Sequence, residues 1–421
     1  MLRKCLVIVG IAIFISSTFF IENGAAAGKV KLLFWEMYGP SREFDKLTKE
    51  FNATHPDIEV VDVYFPGHVP LMQKVQIVAT SESSERPDII FYDCINTAAT
   101  NELLPLVDLN KFLKKDPDIK YSDFYPVFQS FGIQGNKILS LHAWANCEIL
   151  FYNKKLFKEA GLNRPPRNWS EMITYGTKLT KPGQWGLAFG FLSNTYFEEL
   201  SWEWQSLVVS AGGKLWNKDY TAPLFNTPQG VEALQFLVDC IHKYKIMPLT
   251  NYPERGFENG QIAMKVDGTW NITDYTKALK EDLGFAIWPA KIKPAPNVGG
   301  EHFMIVQSNE EKERAAWEFV KYMLSAGPSI RVCELSGMVP TRRSIAESPK
   351  FQELVKSNPG IAVELQSMKY AIHRAPTPWY LKASEAIANA IQPALYNQIS
   401  AQEAVSNAEK AVLKILETWK K

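Results

Sequence analysis

Along this chain, aromatic residues recur beside hydrogen-bonding side chains: Trp35 and Tyr38 flank Glu36, Tyr92 precedes Asp93 and Asn96, and Trp144 precedes Asn146. Asn194 lies two residues before Tyr196, Asp267 three before Trp270, and Arg374 five before Trp379. Flat aromatic faces cover apolar C–H surface, while carboxylates and amides bond a rim of hydroxyls. Charged partners make those hydrogen bonds stronger than neutral ones would. A carbohydrate presents both surfaces, so recognition of a sugar is the chemistry these residues predict. Other tryptophans (Trp169, Trp202, Trp288, Trp317 and Trp419) fit helix faces or strand interiors and are expected in the core, whereas Trp270 and Trp379 are expected on a ligand.

Catalytic templates are not matched. The chain has no G-x-S-x-G, H-E-x-x-H or P-loop, and no G-x-G-x-x-G after a strand. The six histidines show no metal-ligand spacing, so neither a metal nor a cofactor is expected. Glycoside hydrolysis needs two carboxylates flanking the scissile bond. Glu36, Asp93 and Glu301 could supply them, but no spacing ties two of them together.

These residues fall at the ends of predicted strands. In Arg86–Leu109 the apolar run Ile89–Tyr92 predicts a strand buried on both faces, and Asp93 falls where it ends. Ligands in open α/β sheets bind outside the carboxyl ends of strands, so Asp93 is a site candidate. It can equally cap the helix that follows. "KLLFW", "HPDIEVVDVYF" and this stretch alternate with amphipathic helices, the opening of a doubly wound α/β sheet. Strands are further predicted in "NKILSLHAW", "EILFYN", "QWGLAFGF", "QIAMKVDG", "LGFAIWPA" and "HFMIVQS", and from Glu310 the chain reads as helical.

Length and charge set the outer bounds. At 421 residues, two domains are expected. Residues 1–27 read as a signal peptide: Arg3 and Lys4, the apolar run Cys5–Ile21, then Ala25-Ala26-Ala27 before cleavage at Gly28. No cysteine stands near the cleavage point to carry a lipid anchor, so a soluble periplasmic protein is expected. Removing Arg3, Lys4 and Glu22 from 46 basic and 45 acidic residues leaves 44 of each. That balance argues against nucleic acid or an anionic membrane as partner. Cys94, Cys147, Cys240 and Cys333 remain, and their spacing does not choose among pairings or exclude free thiols.

Six segments in order, "FNATHPDIEV", "RPDIIFYD" to "LLPL", "ILFYNKKLFKEAGL" with "RNWSEM", "FENGQIAMKVDGTW", "AAWEFVKYMLS" and "GMVPTRRS", resemble the family 1 extracellular solute-binding proteins. These are receptors of bacterial sugar ABC importers. The resemblance implies a type II periplasmic-binding fold with two α/β lobes joined by a multi-crossing hinge. Residues 28–143 and 291–337 would form the first lobe, 144–290 and 338–421 the second. It further implies a monomeric receptor, not an enzyme, that closes on a disaccharide or oligosaccharide and delivers it to membrane permease subunits. Ligand contacts implied by position are Glu36, Tyr38, Tyr92, Asp93, Asn96, Asn146, Asn194, Tyr196, Trp270, Gly299, Gly300, His302, Arg374 and Trp379. Ile95 stands where maltose-binding members carry an acid. Receptors for glycerol 3-phosphate or another small solute, and a secreted glycoside hydrolase, are the alternatives.

Overall fold

The computed structural model describes residues 28–37, 43–81, 85–193 and 197–419. The expected signal segment 1–27 and three of the expected contacts, Tyr38, Asn194 and Tyr196, lie outside the described residues. The strands are β1 (Val30–Glu36), β2 (Ile58–Tyr64), β3 (Ile89–Asp93), β4 (Ile133–Gln134), β5 (Lys137–Ile138) and β6 (Ser140–Asn153), followed by β7 (Ala188–Phe189), β8 (Met264–Gly268), β9 (Leu283–Ala286), β10 (Val298–Ile305) and β11 (Val339–Pro340). The main sheet runs β2-β1-β3-β10-β6-β8-β7, with β9 and β11 also paired to β6. β1 is parallel to β2 and β3, as the strand–helix alternation predicts, whereas β10 enters antiparallel between β3 and β6.

β3 is covered on both faces. Successive side chains of a strand point oppositely. Ile89 and Phe91 accordingly join one core, which includes Phe34, Phe44 and Phe303, while Ile90 and Tyr92 join another with Trp35, Leu71 and Val75. The second core lies under helix His68–Ala79, whose Leu71, Val75 and Val78 are buried.

β6 is the strand shared by both parts of the sheet. The sequence predicts two strands here, but Ser140–Asn153 is one run of fourteen residues without glycine or proline. The buried polar residues Asn146 and Glu148 interrupt its apolar pattern without breaking the ladder. Its first half pairs with β10 and β11, and its second half with β8 and β9. Beyond β6, helix Phe197–Ser210 packs against helix Tyr380–Leu395, which also packs on Ala401–Trp419. All four cysteines among the described residues are buried and free. No helix among the described residues is long and apolar enough to cross a membrane.

Candidate functional site

Strand register brings several of the expected residues together. β10 pairs with β3 so that Glu301 faces Asp93, and with β6 so that Gly299 faces Asn146. All four line a cavity of about 670 Å³, together with Arg374, Trp270, Glu198, Glu199 and Trp202. Gly299 leaves room for the Asn146 amide: a Cβ there would lie 2.5 Å from Asn146 Oδ1 and would push that side chain aside. Asp93 does two things at once. Its Oδ1 accepts from the Ile95 amide at 3.1 Å, capping the turn Cys94–Asn96, and it also meets Arg374 Nη2 at 3.0 Å.

Arg374 joins this strand wall to a wall made by helix Phe197–Ser210. Its Nη1 lies 3.0 Å from Glu198 Oε1, and its guanidinium sits 5.6 Å over the Trp202 ring. Trp202 in turn stacks on Trp270, with centroids 5.6 Å apart and planes 20° apart. Tyr380 and Ser384, from the packed helix Tyr380–Leu395, also donate to Glu198. The cavity therefore has an aromatic platform, one guanidinium and several carboxylates, with bond directions fixed by buried partners.

Burial opposes ionisation of Asp93 most strongly, but the Arg374 guanidinium, His68 and the hydrogen bonds from Ile95 and Cys94 together outweigh it and hold the carboxyl below its usual range. The helix wall goes the other way. Burial raises Glu198, with Arg374 only partly offsetting it. Burial and then the charge of Asp267 push Glu199 up to about 8. Behind it, Glu203 accepts from the Gly190 and Phe191 amides at 2.8 and 3.2 Å.

Other expected contacts do not line this cavity. Tyr92 points to the opposite face of β3 from its neighbours Phe91 and Asp93, and its hydroxyl donates to the His68 carbonyl at 2.5 Å. Glu36 is fully buried at the end of β1, where the Phe65 amide donates to its carbonyl. Asn96 is enclosed in the turn after Asp93. His302 is buried against His142, and its Nδ1 lies 2.6 Å from Ser140 Oγ. Gly300, with φ 122°, serves the irregularity between Glu301 and His302, where a Cβ would strike the Trp144 carbonyl. Trp379 is core, edge-on to Trp216 at 5.1 Å.

Sequence reasoning missed Glu198 and Glu199, and it placed Trp202 in the core. A signal was present. Helix "FEELSWEWQSLVVS" is buried on nearly every face yet carries Glu198, Glu199 and Glu203, and glutamates are not buried without partners.

Residues 46–361 match the bacterial extracellular solute-binding protein family. Among curated proteins, the sn-glycerol-3-phosphate-binding periplasmic protein of Pectobacterium atrosepticum is 24% identical over 381 residues, 86% of this chain and 84% of the relative. The protein of that name from Salmonella typhimurium is also 24% identical, over 377 residues, 85% of this chain and 84% of the relative. Among solved structures, the cyclic alpha-maltosyl-1,6-maltose binding protein of Arthrobacter globiformis superposes with a TM-score of 0.83 at 29% identity, covering 93% of this chain and all of that one. The maltose-bound MalE3 of T. maritima gives 0.80 at 24% identity, covering 92% and 100%. These neighbours share the type II periplasmic-binding fold, and the chain belongs to the bacterial extracellular solute-binding proteins.

Proposed function

We propose that this protein is a periplasmic carbohydrate receptor that closes on a disaccharide or oligosaccharide and delivers it to the permease subunits of an ABC importer. The observation that carries this reading is the stacked Trp202–Trp270 pair in the wall of a cavity that also presents Asp93, Asn146, Glu198 and Glu199. An aromatic platform beside carboxylates and an amide suits sugar C–H faces and hydroxyls. The charge pattern weighs against glycerol 3-phosphate, the ligand in the names of the curated relatives. Arg374 is the only Lys or Arg among the described cavity-lining residues, and it is already shared by Asp93 and Glu198. A phosphate would have to compete with both carboxylates for that one guanidinium.

In this reading residues 1–27 are a cleaved signal peptide and the mature protein is a soluble monomer. Residues 28–143 and 291–337 form one lobe, 144–290 and 338–421 the other, with β6 among the crossings. Closure is driven by contacts that improve when both lobes touch the ligand. No reaction occurs, and the saccharide leaves as it entered.

The test is a thermal-shift screen over mono-, di- and oligosaccharides and glycerol 3-phosphate, followed by calorimetry and chromatography of the recovered ligand. A ligand at a hundredfold excess over its Kd stabilises the folded state by about 2.7 kcal/mol. A saccharide is expected to bind and be recovered intact. Tighter binding of glycerol 3-phosphate, or cleavage of the saccharide, would overturn the reading.

A further inference from the structure

Gly268 closes β8 just before the turn Thr269–Asn271 that carries Trp270. Its backbone, at φ −72° and ψ 146°, is one that any residue adopts, so conformational freedom does not explain a glycine here. Space does. A Cβ on Gly268 would lie 2.1 Å from both Cη2 and Cζ3 of Trp270 and 2.3 Å from Cζ2. The benzene end of that indole rests directly on the glycine.

Neither partner has an easy retreat. The Gly268 amide donates to Asp267 Oδ1 at 2.8 Å, and Gly268 pairs with Glu148 of β6. Asp267 is itself fixed by Lys265 Nζ at 2.6 Å and the Tyr275 hydroxyl at 2.5 Å. The indole is backed by Trp202, which lies against an Arg374 held by Asp93 and Glu198. A side chain at 268 must therefore displace Trp270 or strain the strand beneath it.

That displacement would act on two spaces. Trp270 and Glu199 line the 670 Å³ cavity and also a second pocket of about 330 Å³, walled further by Tyr252, Lys265, Asp267 and Tyr275. We propose that Gly268 is a specificity-determining position. By carrying no side chain, it sets where the Trp270 ring stands between the two spaces, and so which saccharides stack on it. The ligand part of this assignment rests on the carbohydrate-receptor reading; the positioning part does not.

The experiment compares wild type, Gly268→Ala, Trp270→Ala and the double variant by calorimetry with the best saccharide of the panel, and by near-ultraviolet circular dichroism. Gly284→Ala is the control for clash alone, since a Cβ there would meet the Tyr152 ring at 2.2 Å and neither residue lines the cavity. Gly268→Ala is expected to change the tryptophan dichroism and weaken binding by about tenfold or more. In the Trp270→Ala background the same change is expected to cost less than about twofold, because coupled residues are not additive. Gly284→Ala is expected to leave affinity unchanged. Unaltered dichroism in Gly268→Ala, or losses that multiply in the double variant, would overturn the proposal. If no saccharide binds wild type, the receptor reading fails instead, and the dichroism cycle still decides whether Gly268 positions Trp270.

Discussion

The strand wall of the cavity, led by Asp93, and the helix wall, led by Glu198 and Glu199, carry the same functional group with its pKa moved in opposite directions. Burial raises the carboxyl pKa on both sides. What differs is how far the surroundings offset it, since Arg374 lies 3.0 Å from both Asp93 and Glu198. Asp93 has Arg374 at 3.0 Å and ends below its usual range. Glu199 has Asp267 among its strongest neighbours and is pushed up to about 8, with Lys265 working against the shift. At neutral pH one wall then offers an ionised acceptor and the other, at Glu199, a carboxyl that can donate. A ring of hydroxyls, each both donor and acceptor, can satisfy both walls at once. Arg374 is the residue that links the two walls, since it touches both sides.

Removing that residue should have the largest effect. Arg374→Met leaves Asp93 and Glu198 buried without their shared cation, and breaking a buried ion pair from one side costs about 3–5 kcal/mol. Denaturant unfolding at neutral pH reads this directly. A loss below about 1 kcal/mol would mean that the two walls do not depend on the bridge.

Next in size is the aromatic platform. Trp270→Ala should weaken the bound saccharide by about 2–4 kcal/mol, the range of a truncated aromatic hot spot. Asp93→Asn keeps the shape of the strand wall and removes its charge, so it should cost less than Trp270→Ala. Equal or reversed losses in calorimetry would shift the weight of recognition from the helix-side rings to the strand-side acid.

The two parts of the molecule should also fail at opposite ends of the pH scale. Glu199 is raised from 4.5 to about 8, so the folded state holds its proton more tightly. Its contribution to stability is full below about 4.5 and is lost as pH rises through about 8. His142, on the first half of β6, is lowered from 6.5 to about 3 by burial, with Asp93 working against the shift. Its contribution is full above about 6.5 and is lost as pH falls toward about 3. Thermal melts across this range should show Glu199→Gln flattening the alkaline limb and His142→Phe the acid limb, each by on the order of 1–3 kcal/mol. Limbs unchanged by both variants would remove the electrostatic side of the comparison.

The same contrast governs what could be read from sequence. Asp93 was legible because an apolar run ending in an acid marks the end of a buried strand, and a two-residue period then explains why Tyr92 turns away from it. Asn146 and Trp270 stand out as an amide beside Trp144 and a tryptophan after Gly268, whereas Gly299 is singled out only through the family resemblance. Glu198 was not, because its guanidinium partner lies 176 residues further along the chain and no local spacing announces it. β6 was divided in two because buried Asn146 and Glu148 look like the end of a strand until their ladder partners are known. Trp202 and Trp379 are almost equally buried, at 4% and 5% exposure, so hydrophobicity could not say which of them faces the cavity.

That last pair supplies the smallest and sharpest test. Trp379 was expected to stack on ligand, but it sits in the core edge-on to Trp216. Trp202 was expected in the core, but it lines the cavity under Arg374. Trp379→Phe trims a core ring without charging or opening it, so stability should fall by about 1–2 kcal/mol. Affinity should change by less than about threefold, within the spread of distant substitutions. Trp202→Phe, made in parallel, should do the reverse: it narrows the surface against Trp270 and withdraws the indole face from Arg374. Binding should then weaken more than stability. If instead Trp379→Phe lost affinity at constant stability, its ring would have to reach the ligand in the closed state. The aromatic platform would then be shared by both tryptophans rather than owned by the helix wall.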